Sequence, residues 1–258
     1  MVQIDQNKLQ AAIDAYKKYF PTKIGDEIYK WKAVKCFQDN WDIDAEDFAE
    51  MFWAATGKTE NLITSINRFP RKMLYEFAKL EQECVRNMFK VLFDERLELE
   101  QRISEFIKGA EALCVKHFPG KMHYQDLNSI STYLWMRYPD KYFIFKYSEV
   151  KRAINVLGAN FEVKKGASIS KVSSAFEMFE IMAEALNHDA NARPMLNAVL
   201  TNDCYKDAYL HTMTVDLTFF ISRYYNEAPT SSVQTVRKRT WMFSPGEQAC
   251  TWEECLAN

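Results

Sequence analysis

Residues 123–158 read HYQDLNSISTYLWMRYPDKYFIFKYSEVKRAINVLG, and this stretch decides the fold class. From Gln125 to Tyr138 the apolar residues Leu127, Ile130, Tyr133, Leu134 and Trp135 predict a buried helix. Tyr138-Pro139-Asp140 breaks it. Tyr142-Phe143-Ile144-Phe145 is too short and too aromatic for a helix, and predicts a strand or extended segment. Ser148 is placed to cap a helix over Glu149–Leu157, and Gly158 to end it.

The flanking chain repeats the helical half of that pattern. Apolar positions at Leu9, Ile13, Tyr16 and Phe20 predict a first helix, which Pro21 should end. A second is expected from about Gly25 to Asn40. A third is expected after Asp44 as N-cap, with Glu46 and Asp47 in its first turn and Gly57 at its C-terminus. Three more fit between Pro70 and His117, the last starting near Asp94. A strongly amphipathic helix is expected over Ile169–Leu186, one near Pro194 running to Thr201, and one over Asp207–Tyr225. With only 7 Gly and 7 Pro in 258 residues, long helices are favoured over a strand-rich sandwich. The expected class is mainly α: a multi-helix bundle, residues 1–226, with one extended segment near 142–145.

After Tyr225 the composition changes. The polar run NEAPTSSVQTVRKR, residues 226–239, marks a linker expected over residues 227–240. Trp241-Met242-Phe243 then suggests a strand, Ser244-Pro245-Gly246 a turn, and Glu247–Leu256 a helix. A lone strand and helix bury too little area to fold alone. Residues 241–258 therefore read as the start of a second domain, or as a tail docked on the helical body.

The bulk numbers exclude some functions. A net charge of −2 exerts no global pull on nucleic acid or anionic membrane, so such binding must come from local patches. The N-terminus has no apolar signal region, and no uncharged apolar run is long enough for a membrane span. None of the six cysteines forms a CxxC pair, which points to reduced thiols in the core of a cytoplasmic protein. Gly57-Lys58-Thr59 lacks the glycine a phosphate loop needs five residues earlier, where Phe52 stands, and it follows a helix rather than a strand. Cys114, His117 and His123 offer no compact set of metal ligands. No cofactor is expected.

Two patterns carry candidate chemistry. Lys141, Lys146, Lys151, Arg152, Lys164 and Lys165 are interleaved with aromatics, as backbone and base contacts to nucleic acid require, and Arg237, Lys238 and Arg239 extend the basic set. A solvated helix face over an aromatic core explains the first six more simply. Asp140 with Glu149-Val150-Lys151 matches the loose P-D…E-x-K pattern of magnesium-dependent nucleases. That chemistry needs the E-x-K on a strand beside the Asp, whereas here it opens a helix.

Three stretches resemble one family: YKWKAVKCFQDNWDIDAEDF from Tyr29 to Phe48, the segment His123–Gly158, and the tail Trp241–Trp252. Together they look like the N-terminal regions of McrB-type restriction proteins, bacterial phage-defence ATPases of the AAA+ class. Ser244-Pro245-Gly246-Glu247 and Trp252 are similar to the opening of an EVE-like domain, which grips a modified or flipped base. The resemblance implies a non-catalytic recognition or accessory region whose motor lies outside this sequence. The partners it implies are DNA or another subunit of a restriction complex. A nuclease or a protein-interaction scaffold are the alternatives.

Overall fold

The buried helix expected at the centre of the sequence is also central in space. The structure is a computed structural model and describes residues 1–64, 69–166 and 169–225. Among these residues it holds twelve α-helices, one short 3-10 turn and no strand. In order they are α1 Gln6–Glu27, α2 Tyr29–Asn40, α3 Phe48–Ala55, α4 Glu60–Ile63, α5 Pro70–Leu80, α6 Gln82–Leu92, α7 Leu99–His117, α8 Leu127–Arg137, α9 Tyr147–Leu157, α10 Val172–His188, α11 Ala192–Asn197 and α12 His211–Arg223. The linker and tail expected over 227–258 lie outside the described residues, as do Cys250, Cys255, Arg237, Lys238 and Arg239. No described helix is long and apolar enough to cross a membrane.

Helix α8 is buried on every side from Ser129 to Met136, as a helix surrounded by neighbours must be. A capping box starts it. The Asp126 carboxylate accepts from the Ser129 N–H at 3.0 Å, and Ser129 Oγ accepts from the Asp126 N–H at 3.0 Å. Its buried hydroxyls are satisfied locally: Thr132 Oγ1 donates to the Asn128 carbonyl at 2.7 Å, and Ser131 Oγ to the same carbonyl at 3.1 Å. Helices α2, α4 and α7 pack on α8. Helices α3, α5, α6 and α7 form one group, and α1, α9, α10 and α12 another.

The segment Tyr142–Phe145 is buried and forms neither helix nor strand. Two of its N–H groups find partners outside a ladder: Tyr142 donates to the Tyr138 carbonyl at 3.0 Å and Phe145 to Ser131 Oγ at 2.8 Å. The Tyr142 hydroxyl accepts from Arg102 at 2.9 Å and donates to Glu95 at 2.9 Å. Arg102 is only 3% exposed, and it also takes the Leu92 carbonyl at the end of α6.

Several helix ends differ from expectation, each for a local reason. Helix α1 runs through Pro21, which lies on the exposed face where water can take the carbonyl its missing N–H leaves. Only Ile28 separates α1 from α2, so Gly25–Glu27 belong to the first helix. Asp47, not Asp44, caps α3, its carboxylate accepting from the Glu50 N–H at 3.0 Å. The preceding loop is held in a turn by Asp42 and by Arg86, which donates to the Ile43 and Ala45 carbonyls. Helix α7 starts at Leu99 because Asp94 closes a turn on the Arg96 N–H. Helix α9 starts at Tyr147, one residue before Ser148. A 3-10 turn at Ile169–Lys171 precedes α10, α11 ends at Asn197, and α12 waits until His211.

The late start of α12 follows from Asp207 and Leu210, which both adopt left-handed backbone, φ +51° and +58°. The Asp207 carboxylate then caps the helix from a distance, accepting from the N–H groups of Thr212 at 3.1 Å and Met213 at 2.9 Å. It accepts a third bond from Trp31 Nε1 at 3.1 Å, which ties α2 to α12. Burial pushes its carboxyl up to about 6.

Candidate functional site

Three helices end at one place on the surface, and each has an aromatic residue as its C-cap: Trp41 for α2, Phe93 for α6 and Tyr138 for α8. The rings meet edge to face, with Trp41 and Phe93 centroids 5.5 Å apart and Phe93 and Tyr138 5.9 Å apart. All three are half-buried. With Asp42, Ile43, Phe89, Lys90 and Arg137 they line a concavity of about 400 Å³.

The position of each group has a physical cause. Helix C-termini concentrate unpaired carbonyls and a partial negative charge, so cationic side chains collect in the last turn. Lys90 occupies that place in α6 and Arg137 in α8. The Arg137 guanidinium lies 5.0 Å from the Tyr138 ring centroid, and Lys90 lies 3.7 Å from Asp44. Gln38 of α2 donates to the Met136 and Arg137 carbonyls and locks the ends of α2 and α8 together. The Tyr138 hydroxyl donates to the Phe93 carbonyl at 3.1 Å. Aromatic faces edged by a lysine and an arginine can stack planar rings and contact anionic groups beside them.

Among the described residues, the basic side chains singled out in the sequence have different neighbours. Lys141 sits one turn beyond Tyr138 and pairs with Glu95 at 2.6 Å. Lys146 lines a different cleft and contacts Glu149 at 2.6 Å. Lys151 stands 5.8 Å from the Tyr147 ring centroid. Arg152 points toward the Tyr225 carbonyl at 3.5 Å, and Lys164 and Lys165 are exposed. In the nuclease pattern the two carboxylates have different partners: Asp140 accepts from the Tyr205 hydroxyl, whereas Glu149 is buried beside Lys146 at the start of α9. Among the described residues, no group of three or more His, Cys, Asp or Glu side chains could hold a metal ion. His117 contacts Glu81 at 3.0 Å, His123 contacts Glu111 at 3.3 Å, and the Cys114 thiol donates to the Lys121 carbonyl at 3.2 Å. Cys114 and Cys204 are buried thiols, Cys36 is half-buried, and Cys84 is exposed rather than in the core.

The cleft that holds Lys146 measures about 190 Å³ and opens over a buried ionic cluster. Lys30, 3% exposed, contacts Glu27 at 2.7 Å and donates to Asp216. The Tyr16 hydroxyl donates to the other Asp216 oxygen at 2.7 Å. Burial works against the Lys30 ammonium, but Asp216, Tyr29 and Glu27 outweigh it and hold its pKa above the ordinary value. Burial also raises the Glu27 carboxyl, against the pull of Lys30. These charges join α1, α2 and α12 and serve to hold them in register.

Periodicity placed Phe93 on an apolar helix face with Val85, Met88, Phe89 and Leu92, but it did not single out Lys90 or Arg137, which are charged last-turn residues outside the apolar repeat. The signal that was available is the recurrence of an aromatic just past a last-turn cation, Lys90 before Phe93 and Arg137 before Tyr138. No family model, curated protein or solved structure matches the chain.

Proposed function

We propose that residues 1–225 act as a non-catalytic recognition region of a McrB-like restriction ATPase, binding nucleic acid at the Trp41–Phe93–Tyr138 concavity. One observation carries this reading. Two of the stretches that resemble the family, Tyr29–Phe48 and His123–Gly158, meet there: the first supplies Trp41 and Gln38, the second Arg137 and Tyr138. In this role the rings stack bases, and Lys90, Arg137 and Lys141 contact phosphates.

Titration of labelled DNA, modified and unmodified, at two ionic strengths tests it. Affinity should fall steeply with salt, and Lys90→Ala or Arg137→Ala should each lower the salt slope by about 1. Tyr138→Ala should weaken binding by about 1–3 kcal/mol without changing that slope. Absence of binding to either DNA at low salt removes the proposal.

A further inference from the structure

A second surface concavity, larger than the one at the aromatic C-caps, is lined by other residues. It measures about 520 Å³ and runs between α5 and the turn that follows α7. Its lining includes Phe69, Met73, Phe118, Met122 and Tyr124, with Lys72 and Lys121 among the charged residues. Phe69 and Met122 are 43% and 65% exposed, unusual values for large apolar side chains.

The walls are held in place rather than loosely draped. Tyr124 adopts left-handed backbone at φ +58°, a strained conformation for an aromatic residue. Its neighbour Gln125, 2% exposed, holds it there: its amide donates to the Pro70 carbonyl at 2.8 Å and accepts from the Tyr133 hydroxyl at 3.1 Å. The groove is thus preorganised, and its two methionines are adaptable contacts. Its rim is cationic. Glu76 is paired with Lys79 at 2.9 Å, whereas Lys72 and Lys121 have no acidic partner among the described residues.

We infer that this groove docks a protein partner through an acidic amphipathic segment, whose bulky apolar side chains fill the floor while its carboxylates meet Lys72 and Lys121.

The test is fluorescence anisotropy on the full chain with a defined probe. The probe is a labelled helical peptide with leucine and tryptophan on one face and glutamate on the other. The control peptide has lysine in place of glutamate. The acidic peptide should bind about tenfold more tightly than the basic one. The doubly charge-reversed variant Lys72→Glu/Lys121→Glu should invert that preference, and Met122→Ser should weaken both peptides. All three positions are exposed, and circular dichroism checks that the variants stay folded. Equal affinity for both peptides, or no binding of the acidic peptide at millimolar concentration, overturns the inference. So does self-association in sedimentation velocity that Met122→Ser abolishes, since a second copy would then be the occupant. So does labelled duplex DNA that binds here and is released by the double reversal. None of these outcomes depends on whether DNA binds at the aromatic concavity.

Discussion

Replacing Lys30 with methionine should cost about 3–5 kcal/mol of stability. The side chain is 3% exposed and sits between Glu27 and Asp216, themselves 9% and 1% exposed. Methionine fills similar volume, so the loss is electrostatic: two carboxylates remain buried without the cation that balanced them. Among the described residues, Asp216 then keeps one hydrogen bond, from Tyr16 at 2.7 Å. For a helical unit of this size, with a urea slope of about 2–3 kcal/mol per molar, the midpoint should drop by about 1–2 M.

The deficit should also depend on pH. Burial already raises the Glu27 carboxyl, and loss of the neighbouring ammonium removes the main force lowering it. A carboxyl with a raised folded pKa is most compatible with the fold below its unfolded pKa. It loses stability as pH rises through the folded value. The Lys30→Met deficit should therefore be smaller near pH 5 than near pH 8. Urea titrations followed by circular dichroism at both pH values measure it. The double variant Lys30→Met/Asp216→Leu should recover much of the loss, because an apolar pair replaces an unbalanced charge. A single-variant loss below about 1 kcal/mol, or strictly additive losses in the double variant, would refute the idea that this cluster ties α1, α2 and α12 together.

Two further changes probe the helix ends. Asp207 is fully buried with its carboxyl pushed up to about 6, so from this group alone the protein should lose about 3 kcal/mol as pH rises from about 4 to above 6. In Asp207→Asn that fall should vanish, while the amide satisfies fewer of the three N–H donors and costs about 1–3 kcal/mol; parallel pH profiles for the two proteins would contradict this. Gly158 ends α9 at φ +63°, and a Cβ there would meet only ordinary contacts at 3.9 Å. Gly158→Ala should thus cost about 1 kcal/mol from backbone strain alone, read as a urea midpoint shift.

Much of the helical framework was legible along the chain. Helix α8 announced itself through apolar residues at every turn position, and Gly158 marked the end of α9 because left-handed backbone favours glycine. Helix starts were less legible. Asp44 and Asp47 are equally good caps by residue type, and the choice was made by Arg86, forty residues away, gripping the intervening carbonyls. The segment at 142–145 was expected as a strand or extended segment, and no strand forms there. Ser131 on α8 supplied the Phe145 N–H with an acceptor that a neighbouring strand would otherwise provide, and Arg102 on α7 anchored the Tyr142 hydroxyl.

What the amino-acid sequence determined by itself is therefore local: which segments are helical, which faces are apolar, and where glycine and proline interrupt. Those properties depend on side-chain type and on spacings of three or four residues. What only the tertiary structure decided is convergence. Trp41, Phe93 and Tyr138 are far apart in the chain and come together because α2, α6 and α8 stop at a common surface. The ion pair of Lys30 with Asp216 spans 186 residues in the same way. Neither arrangement leaves a periodic trace, because a charge or ring that meets its partner through packing needs no regular spacing from it.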